Sequence, residues 1–332
     1  MSNNQPLRFG LIGCGRIAMS HLEAFAKVPD ASLVAIAEPR EAAGRAAAES
    51  ARAAYFADYR DGELGKLVDA VIVCAPPSEH PAIVKHFLGL GKHVLCEKPL
   101  TIRSSDAKEL AQLAGQKKLV LMMASKFRYC DDMIQAKQII EAGTLGNVIQ
   151  FENVFTGKVL MKDRWNCDPK ISGGGVLIDN GSHSVDIARY LLGPIVAVQA
   201  QPGVQGQGLA VEDTVNLWLR TAKGVVGTVD LSWTIHKETP WYVSVFGSAG
   251  AVNVGWKGSQ YKHDGSPGWI AFGNGYDKVG SFKGQLQNFV DTVRGKAKPL
   301  MGPDDALASV RVIEAAYRSV GTGKWETVES GA

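Results

Sequence analysis

Cysteine is sparse and unpaired in this chain: Cys14, Cys74, Cys96, Cys130 and Cys167 make an odd number with no C-x-x-C spacing. That argues against a disulfide framework and for a reducing compartment. No apolar run reaches the ~18 residues of a membrane span. The opening MSNNQPLRFGLIG lacks a basic region followed by an apolar core and a cleavage site. The expectation is a soluble, cytoplasmic protein with no membrane partner. Charge of one sign is also lacking: the formal net charge is +3 and dispersed, too little for a nucleic-acid surface. There is no internal repeat and no low-complexity linker. No His/Cys/Asp cluster has metal-ligand spacing, so no metal is expected.

What remains is an ordinary globular composition, 45% hydrophobic and 21% charged, over 332 residues. That length favours two domains over one core. In the first third, apolar runs at 7–13, 32–38, 69–76, 92–98 and 118–125 alternate with helical stretches at 16–28, 40–51, 78–91 and 104–116. Near-continuous apolar strands separated by helices predict a parallel sheet covered on both faces, a doubly wound α/β domain over 1–125. After it the rhythm changes. One helical segment, 131–143, leads to strand-like runs at 148–157, 211–220, 224–235, 241–248 and 250–256, and a helix at 304–320 follows. Strands without intervening helices predict an antiparallel sheet, hence an α+β domain over 126–332. Glycine-rich stretches at 203–208 and 255–275 read as loops.

Three stretches carry chemistry. GLIGCGRIA places Gly13, Gly15 and Ala18 in the G-x-G-x-x-(G/A) pattern after a strand and at a helix start. The first glycine makes the turn, the second admits a pyrophosphate, and the small third residue lets helix pack on strand. Glu38 closes the second strand, about 20 residues on, where a ribose contact is expected. A carboxylate there favours NAD over NADP, while Arg40 is placed to accept a 2′-phosphate, so NADP is not excluded. In CEKPLT, Lys98 follows a parallel strand at the end where ligands bind, and Pro99 holds it extended; the plain alternative is a surface lysine before a turn. In GGGVLIDNGSHSVD, Asp179 and His183 are four apart, on one face if the stretch is helical, with Asp186 three further on. The plain alternative makes Asp179 a helix cap and His183 a core histidine. The glycines before them fit a close backbone approach to ligand or cofactor.

Together and in this order, these stretches resemble the glucose–fructose oxidoreductase / inositol dehydrogenase / rhizopine catabolism (Gfo/Idh/MocA) family over nearly the whole chain. The resemblance implies a Rossmann domain, 1–125, that binds NAD(P). It also implies an α+β domain with a large, open-faced, mostly antiparallel sheet, 126–332, for substrate and oligomer contacts. The implied reaction moves a hydride between nicotinamide and a secondary hydroxyl or ketone of a sugar, sugar acid or cyclitol. That chemistry requires no metal. The family's catalytic lysine falls on Lys98 and its aspartate–histidine pair on Asp179 and His183. His183 suits a general base near neutral pH and Lys98 an ammonium that steadies alkoxide charge, though these two roles can be exchanged. Asp179 orients His183 or holds a neighbouring hydroxyl.

On this reading the cofactor contacts are Gly13, Gly15, Arg16, Ile17, Glu38, Arg40, Pro76, His80, Glu97 and Lys98. The substrate contacts are Lys98, Arg128, Arg164, Trp165, Asp179 and His183. Arg128 and Lys126 follow the sixth strand, where the local SKFR departs from the Asn-Arg pattern frequent in the family. Trp165 would face a sugar ring and Arg164 a carboxylate or phosphate, with a purely structural Trp165 the plain alternative. His80 reads equally as a helix-start surface residue, and His21 and His236 as scaffold. The alternatives are redox-neutral elimination or glycoside cleavage through transient oxidation, action on a nucleotide-linked sugar, and a non-catalytic nicotinamide-binding protein. The sheet runs 211–220 and 224–235 lead to the expectation of a homodimer or homotetramer.

Overall fold

The computed structural model describes residues 5–329. The chain forms two compact units, one running to Lys126 and taking in Lys278–Leu307, the other Phe127–Asp277 with the residues from Ala308 on. The sequence reading placed everything after 125 in the second domain, whereas Lys278–Leu307 packs with the first.

The first unit holds six parallel strands, β1 (Leu7–Ile12), β2 (Ala31–Ala37), β3 (Ala54–Phe56), β4 (Ala70–Val73), β5 (His93–Glu97) and β6 (Leu121–Ala124), in the order β3-β2-β1-β4-β5-β6. Helices α1 (Arg16–Phe25), α2 (Glu41–Ala51), α3 (Gly62–Leu67), α4 (His80–Gly89) and α5 (Ser104–Lys117) connect them. All four residues of β4 and of β6 are buried, as expected of strands covered on both faces. The order reverses between β1 and β4. Such a switch point leaves a crevice at the carboxyl ends of the strands, where ligands of doubly wound sheets bind.

In the second unit, α6 (Asp131–Glu141), a short α7 (Pro169–Ser172) and α8 (Val176–Leu192) accompany nine strands: β7 (Val148–Thr156), β8 (Ile195–Pro202), β9 (Thr214–Thr221), β10 (Val226–Ser232), β11 (Trp241–Gly247), β12 (Gly250–Gly255), β13 (Ser259–His263), β14 (Ile270–Phe272) and β15 (Glu326–Thr327). They form one sheet in the order β14-β13-β12-β11-β7-β10-β9-β8-β15. It is antiparallel except where β10 runs parallel to β7. The stretch expected to be a loop at 255–275 contains β13 and β14, short strands whose flanking glycines hide the pattern.

The second sheet is amphipathic. On β9, Val215, Leu217, Leu219 and Thr221 are buried, while Asn216, Trp218 and Arg220 are exposed. Helix α8 packs on the apolar face through β7, β9 and β10. Two further helices, α9 (Lys278–Val293) and α10 (Pro303–Thr322), lie between β14 and β15, and α9 packs on α1 in the first unit. The sequence reading had no helix at α9, although Phe282, Leu286, Phe289 and Val290 make its buried stripe.

Candidate active site

The nucleotide half begins at the turn from β1 to α1. Gly13 has φ +92, and a Cβ there would lie 2.9 Å from the Ala75 backbone N, so the turn passes against the end of β4 with no room for a side chain. Gly15 differs: it is the N-cap of α1, and a Cβ there meets nothing within 4 Å. Its lack of a side chain is not demanded by protein packing, which fits a position kept open for a pyrophosphate at the helix N-terminus. Ala18 is buried, Arg16 exposed and Ile17 half-buried.

Glu38 lies just beyond β2. Its carboxylate accepts the Cys14 backbone N–H at 2.7 Å and is paired with Arg40, Nε to Oε1, at 2.7 Å. Burial alone would raise the Glu38 pKa, but hydrogen bonds from Arg40 and from the Cys14 N–H hold it below the ordinary value. Burial, reinforced by Glu38, pushes the Cys14 thiol up to about 11, so it stays protonated at neutral pH.

At the ends of β4 and β5 stand Pro76, half-buried, and the run Glu97-Lys98-Pro99, whose Lys98–Pro99 peptide bond is cis. Lys98 is half-buried and its backbone N–H donates to Glu97 Oε2 at 3.2 Å. Glu97 is buried, with Oε1 2.9 Å from His21 Nε2. His80 changes character. It is 0% exposed, with Nδ1 2.9 Å from the Pro99 carbonyl and Nε2 2.8 Å from that of Ala75. Neither surface residue nor open to a cofactor, it is enclosed between two strand ends, and its single N–H in the neutral ring serves one of the two carbonyls.

In the second unit, α8 begins at Val176, so Asp179 and His183 do lie one turn apart on a helix. Between Gly174 and Ala188, every residue is buried except Asp179, Asn180 and His183, which are half-exposed. The glycines before the helix serve packing: a Cβ on Gly175 would stand 2.0 Å from Glu212 O, and one on Gly174 (φ +156) 1.9 Å from the Tyr317 hydroxyl. Glu212 Oε1 accepts N–H groups of Gly175 (2.9 Å) and Leu177 (3.1 Å) and the Tyr317 hydroxyl (2.8 Å). This carboxylate, brought from before β9, fills the capping role at the positive end of the helix. Burial and the Glu212 charge raise the Tyr317 pKa, keeping its donor proton in place.

His183 meets the Phe127 ring edge-on, centroids 5.2 Å apart. Phe127 stacks on Phe155 (5.2 Å) and Tyr276 (5.1 Å), and Trp256 adjoins Tyr242 (4.5 Å) and Tyr276 (5.8 Å). Trp256 is 41% exposed and Tyr276 half-buried, so the cluster presents aromatic surface beside the histidine. Sequence reading missed these rings because no local motif joins positions this far apart.

Arg128 also changes character. It is buried and pairs with Asp186 at 2.7 Å, joining the turn after β6 to α8, so it is a structural ion pair and no open substrate contact. Arg164 is half-buried and Trp165 is 44% exposed, in the segment before α7. His236 is exposed. Among the described residues there is no group of His, Cys, Asp and Glu that could hold a metal, and no helix long and apolar enough to cross a membrane.

A six-stranded parallel sheet with an open glycine turn and a carboxylate beyond β2 defines an NAD-binding Rossmann oxidoreductase domain. Residues 7–125 match the family described as "Oxidoreductase family, NAD-binding Rossmann fold" and residues 133–253 the "GFO/IDH/MocA C-terminal domain". The chain belongs to the Gfo/Idh/MocA family, whose named relatives include dehydrogenases of sugars and cyclitols. It is 28% identical to inositol 2-dehydrogenase of Rhizobium meliloti, over 95% of this chain and 97% of that protein. An uncharacterized oxidoreductase of Schizosaccharomyces pombe is 40% identical, but the match spans 47% of this chain and 44% of that one. Among solved structures, levoglucosan dehydrogenase in complex with NADH and levoglucosan superposes with TM-score 0.91 at 23% identity, over 98% of this chain and 100% of that one.

Proposed function

We propose that this enzyme oxidises a secondary ring hydroxyl of a sugar, sugar acid or cyclitol, or reduces the corresponding ketone. Bound NAD accepts or returns the hydride. His183 takes the hydroxyl proton, Lys98 holds the oxygen as its charge develops, and Asp179 positions His183 or a neighbouring hydroxyl. The observation that carries the reading is the pattern of exposure on α8: in a buried stretch of helix the open positions are Asp179, Asn180 and His183. A packing histidine and a capping aspartate would have no need of that pattern, and Glu212 already fills the cap.

The nucleotide half supports NAD as the bound group, with Gly13, Gly15, Arg16 and Ile17 along the pyrophosphate, Glu38 at the ribose, and Pro76, Glu97 and Lys98 toward the nicotinamide. Trp256 and Tyr276 offer flat apolar surface suited to the C–H face of a sugar ring. An inositol relative over 95% of the chain and a levoglucosan relative at 29% identity over 75% of it favour a cyclic polyol. The test is nicotinamide absorbance with NAD or NADP against a panel of inositols, sugars and sugar acids, repeated with Lys98→Ala and His183→Ala. Reduced cofactor formed with one substrate class and abolished in both variants supports the proposal; turnover that survives both sinks it.

The sheet face opposite α8 exposes Trp218 and Val226, and Trp325 is exposed as well. We propose a homodimer or homotetramer through that face. Analytical ultracentrifugation at micromolar concentration giving the monomer mass of 35.5 kDa would refute it.

A further inference from the structure

Lys98 stands between two residues, and each is held by a buried histidine from a different helix. On one side, Glu97 is gripped by His21 of α1: Nε2 lies 2.9 Å from Oε1, with the imidazole 1% exposed. The other Glu97 oxygen takes the Lys98 backbone N–H. On the other side, the Pro99 carbonyl lies 2.9 Å from His80 Nδ1, and His80 Nε2 reaches the Ala75 carbonyl at 2.8 Å. His80 thereby lies between the residue after Lys98 and the strand end that carries Pro76; burial lowers its pKa, and the neutral ring has one N–H, which donates to one of the two carbonyls.

The surroundings make both contacts specific. His21 sits edge-on to Phe282 of α9, centroids 4.8 Å apart, so its ring is fixed by packing as well as by Glu97. Its second nitrogen, Nδ1, is buried with no hydrogen-bond partner among the described residues. A buried polar atom left unmade costs stability, so a histidine placed there for packing alone would be a poor choice against leucine. The Glu97 carboxylate is buried too, and needs the donor that His21 supplies. Two buried imidazoles, each within hydrogen-bond distance of a chain neighbour of the same lysine, frame that lysine's backbone from both sides.

We propose that His21 and His80 are positioning residues for Lys98, each fixing one of its two chain neighbours so that the ammonium is held in its working place. The proposal rests on the role assigned to Lys98 above. Neither histidine touches the reacting atoms. Their effect falls on kcat, because a displaced catalytic group weakens the transition state while the glycine turn still receives the cofactor.

The test compares His21→Leu and His80→Leu with the wild type in kcat, KM, NAD dissociation constant and melting temperature. The expected result is a fall in kcat of roughly 10- to 100-fold with NAD affinity unchanged within about threefold. His21→Gln, which keeps an N–H toward Glu97, recovers most of the loss. The His21→Leu/Glu97→Gln double variant is no slower than the slower single one, because both break the same contact. If a leucine variant does not fold, His21→Asn or His80→Asn, with a shorter reach, replaces it. Folded variants with wild-type kcat overturn the proposal, as does a kcat loss matched by equal loss of NAD affinity and a lowered melting temperature. Lys98→Ala is the control. If it retains turnover, the assigned role of Lys98 falls; if it is inactive while the histidine variants are not, only the histidines' positioning role falls.

Discussion

The guanidinium of Arg40 lies on the carboxylate of Glu38, Nε to Oε1 at 2.7 Å and Nη2 to Oε2 at 3.1 Å. The cation that the sequence offers to a 2′-phosphate is therefore engaged by a carboxylate that would repel that phosphate. Ribose hydroxyls can donate to Glu38, whereas a phosphate meets its charge at close range. Removing the carboxylate in Glu38→Ala frees Arg40. The expected outcome is a shift in the kcat/KM ratio toward NADP of roughly 10- to 100-fold, the worth of one or two charge-assisted hydrogen bonds. Steady-state kinetics with both cofactors checks it, and an unchanged ratio would show that Glu38 does not read the ribose.

The same carboxylate sets a pH dependence. Burial opposes its charge, yet the Arg40 and Cys14 hydrogen bonds leave its pKa below the ordinary value of 4.5. A carboxylate whose folded pKa is depressed contributes stability that is present above its unfolded pKa and lost as pH falls through the folded one. Wild type should therefore melt above Glu38→Gln at neutral pH, and the gap should close on acidification below about 4.5. Calorimetry across a pH series measures this; a gap that widens toward acid reverses the sign and the explanation with it.

The first sheet was legible because strands buried on both faces leave continuous apolar runs such as AVIV at 70–73, and little but a parallel sheet follows. Lys98 was legible for the same reason, since it ends such a run. The α9 helix was not: its stripe of Phe282, Leu286, Phe289 and Val290 is diluted by polar residues and by two glycines, and its partner α1 lies far off in sequence. Asp179 and His183 followed from helical spacing. The ring cluster beside His183 gathers Phe155 and Tyr242 from strands with Phe127, Trp256 and Tyr276 from connecting segments far apart in sequence, and Glu212 caps α8 from 37 residues beyond Gly175. Long-range placements of this kind leave no local signal.

Arg128 shows what that costs a reading by motif. Expected to meet substrate, it is instead 5% exposed and paired with Asp186. Truncating one partner of a buried ion pair leaves the other charge uncompensated, typically about 3–5 kcal/mol. Arg128→Ala is expected to lose stability on that scale, and KM in whatever protein remains folded should stay near wild type. Chemical denaturation with parallel kinetics decides it. A raised KM with full stability would return Arg128 to the substrate site.

Trp256 is the reverse case, a residue without a motif whose ring joins the aromatic cluster that reaches His183 through Phe127. Its ring packs against Tyr242 at 4.5 Å and leaves 41% of its surface open. If that surface lies along a sugar's C–H face, Trp256→Ala removes apolar contact that ground state and transition state share. KM then rises by about tenfold with kcat little changed. A kcat loss at unchanged KM would place the ring on the catalytic geometry and not on binding.

Gly15 and Gly175 look alike in the sequence, each in a glycine-rich turn before a helix, and their surroundings separate them. A methyl group on Gly15 meets no protein atom within 4 Å, whereas one on Gly175 would lie 2.0 Å from the Glu212 carbonyl oxygen. Gly15→Ala is expected to fold with a melting temperature near wild type and to lose NAD affinity by roughly tenfold or more, because its Cβ intrudes on the place where backbone meets pyrophosphate. Gly175→Ala must push Glu212 away, and with it the cap that anchors the first turn of α8. It should lose stability by about 1–3 kcal/mol and lower kcat through the displaced Asp179 and His183, with NAD affinity intact. Calorimetric NAD titration and thermal melting of the two variants side by side test both halves. If Gly15→Ala binds NAD normally, the open space at the start of α1 is not the pyrophosphate's, and the nucleotide half would have to be built differently.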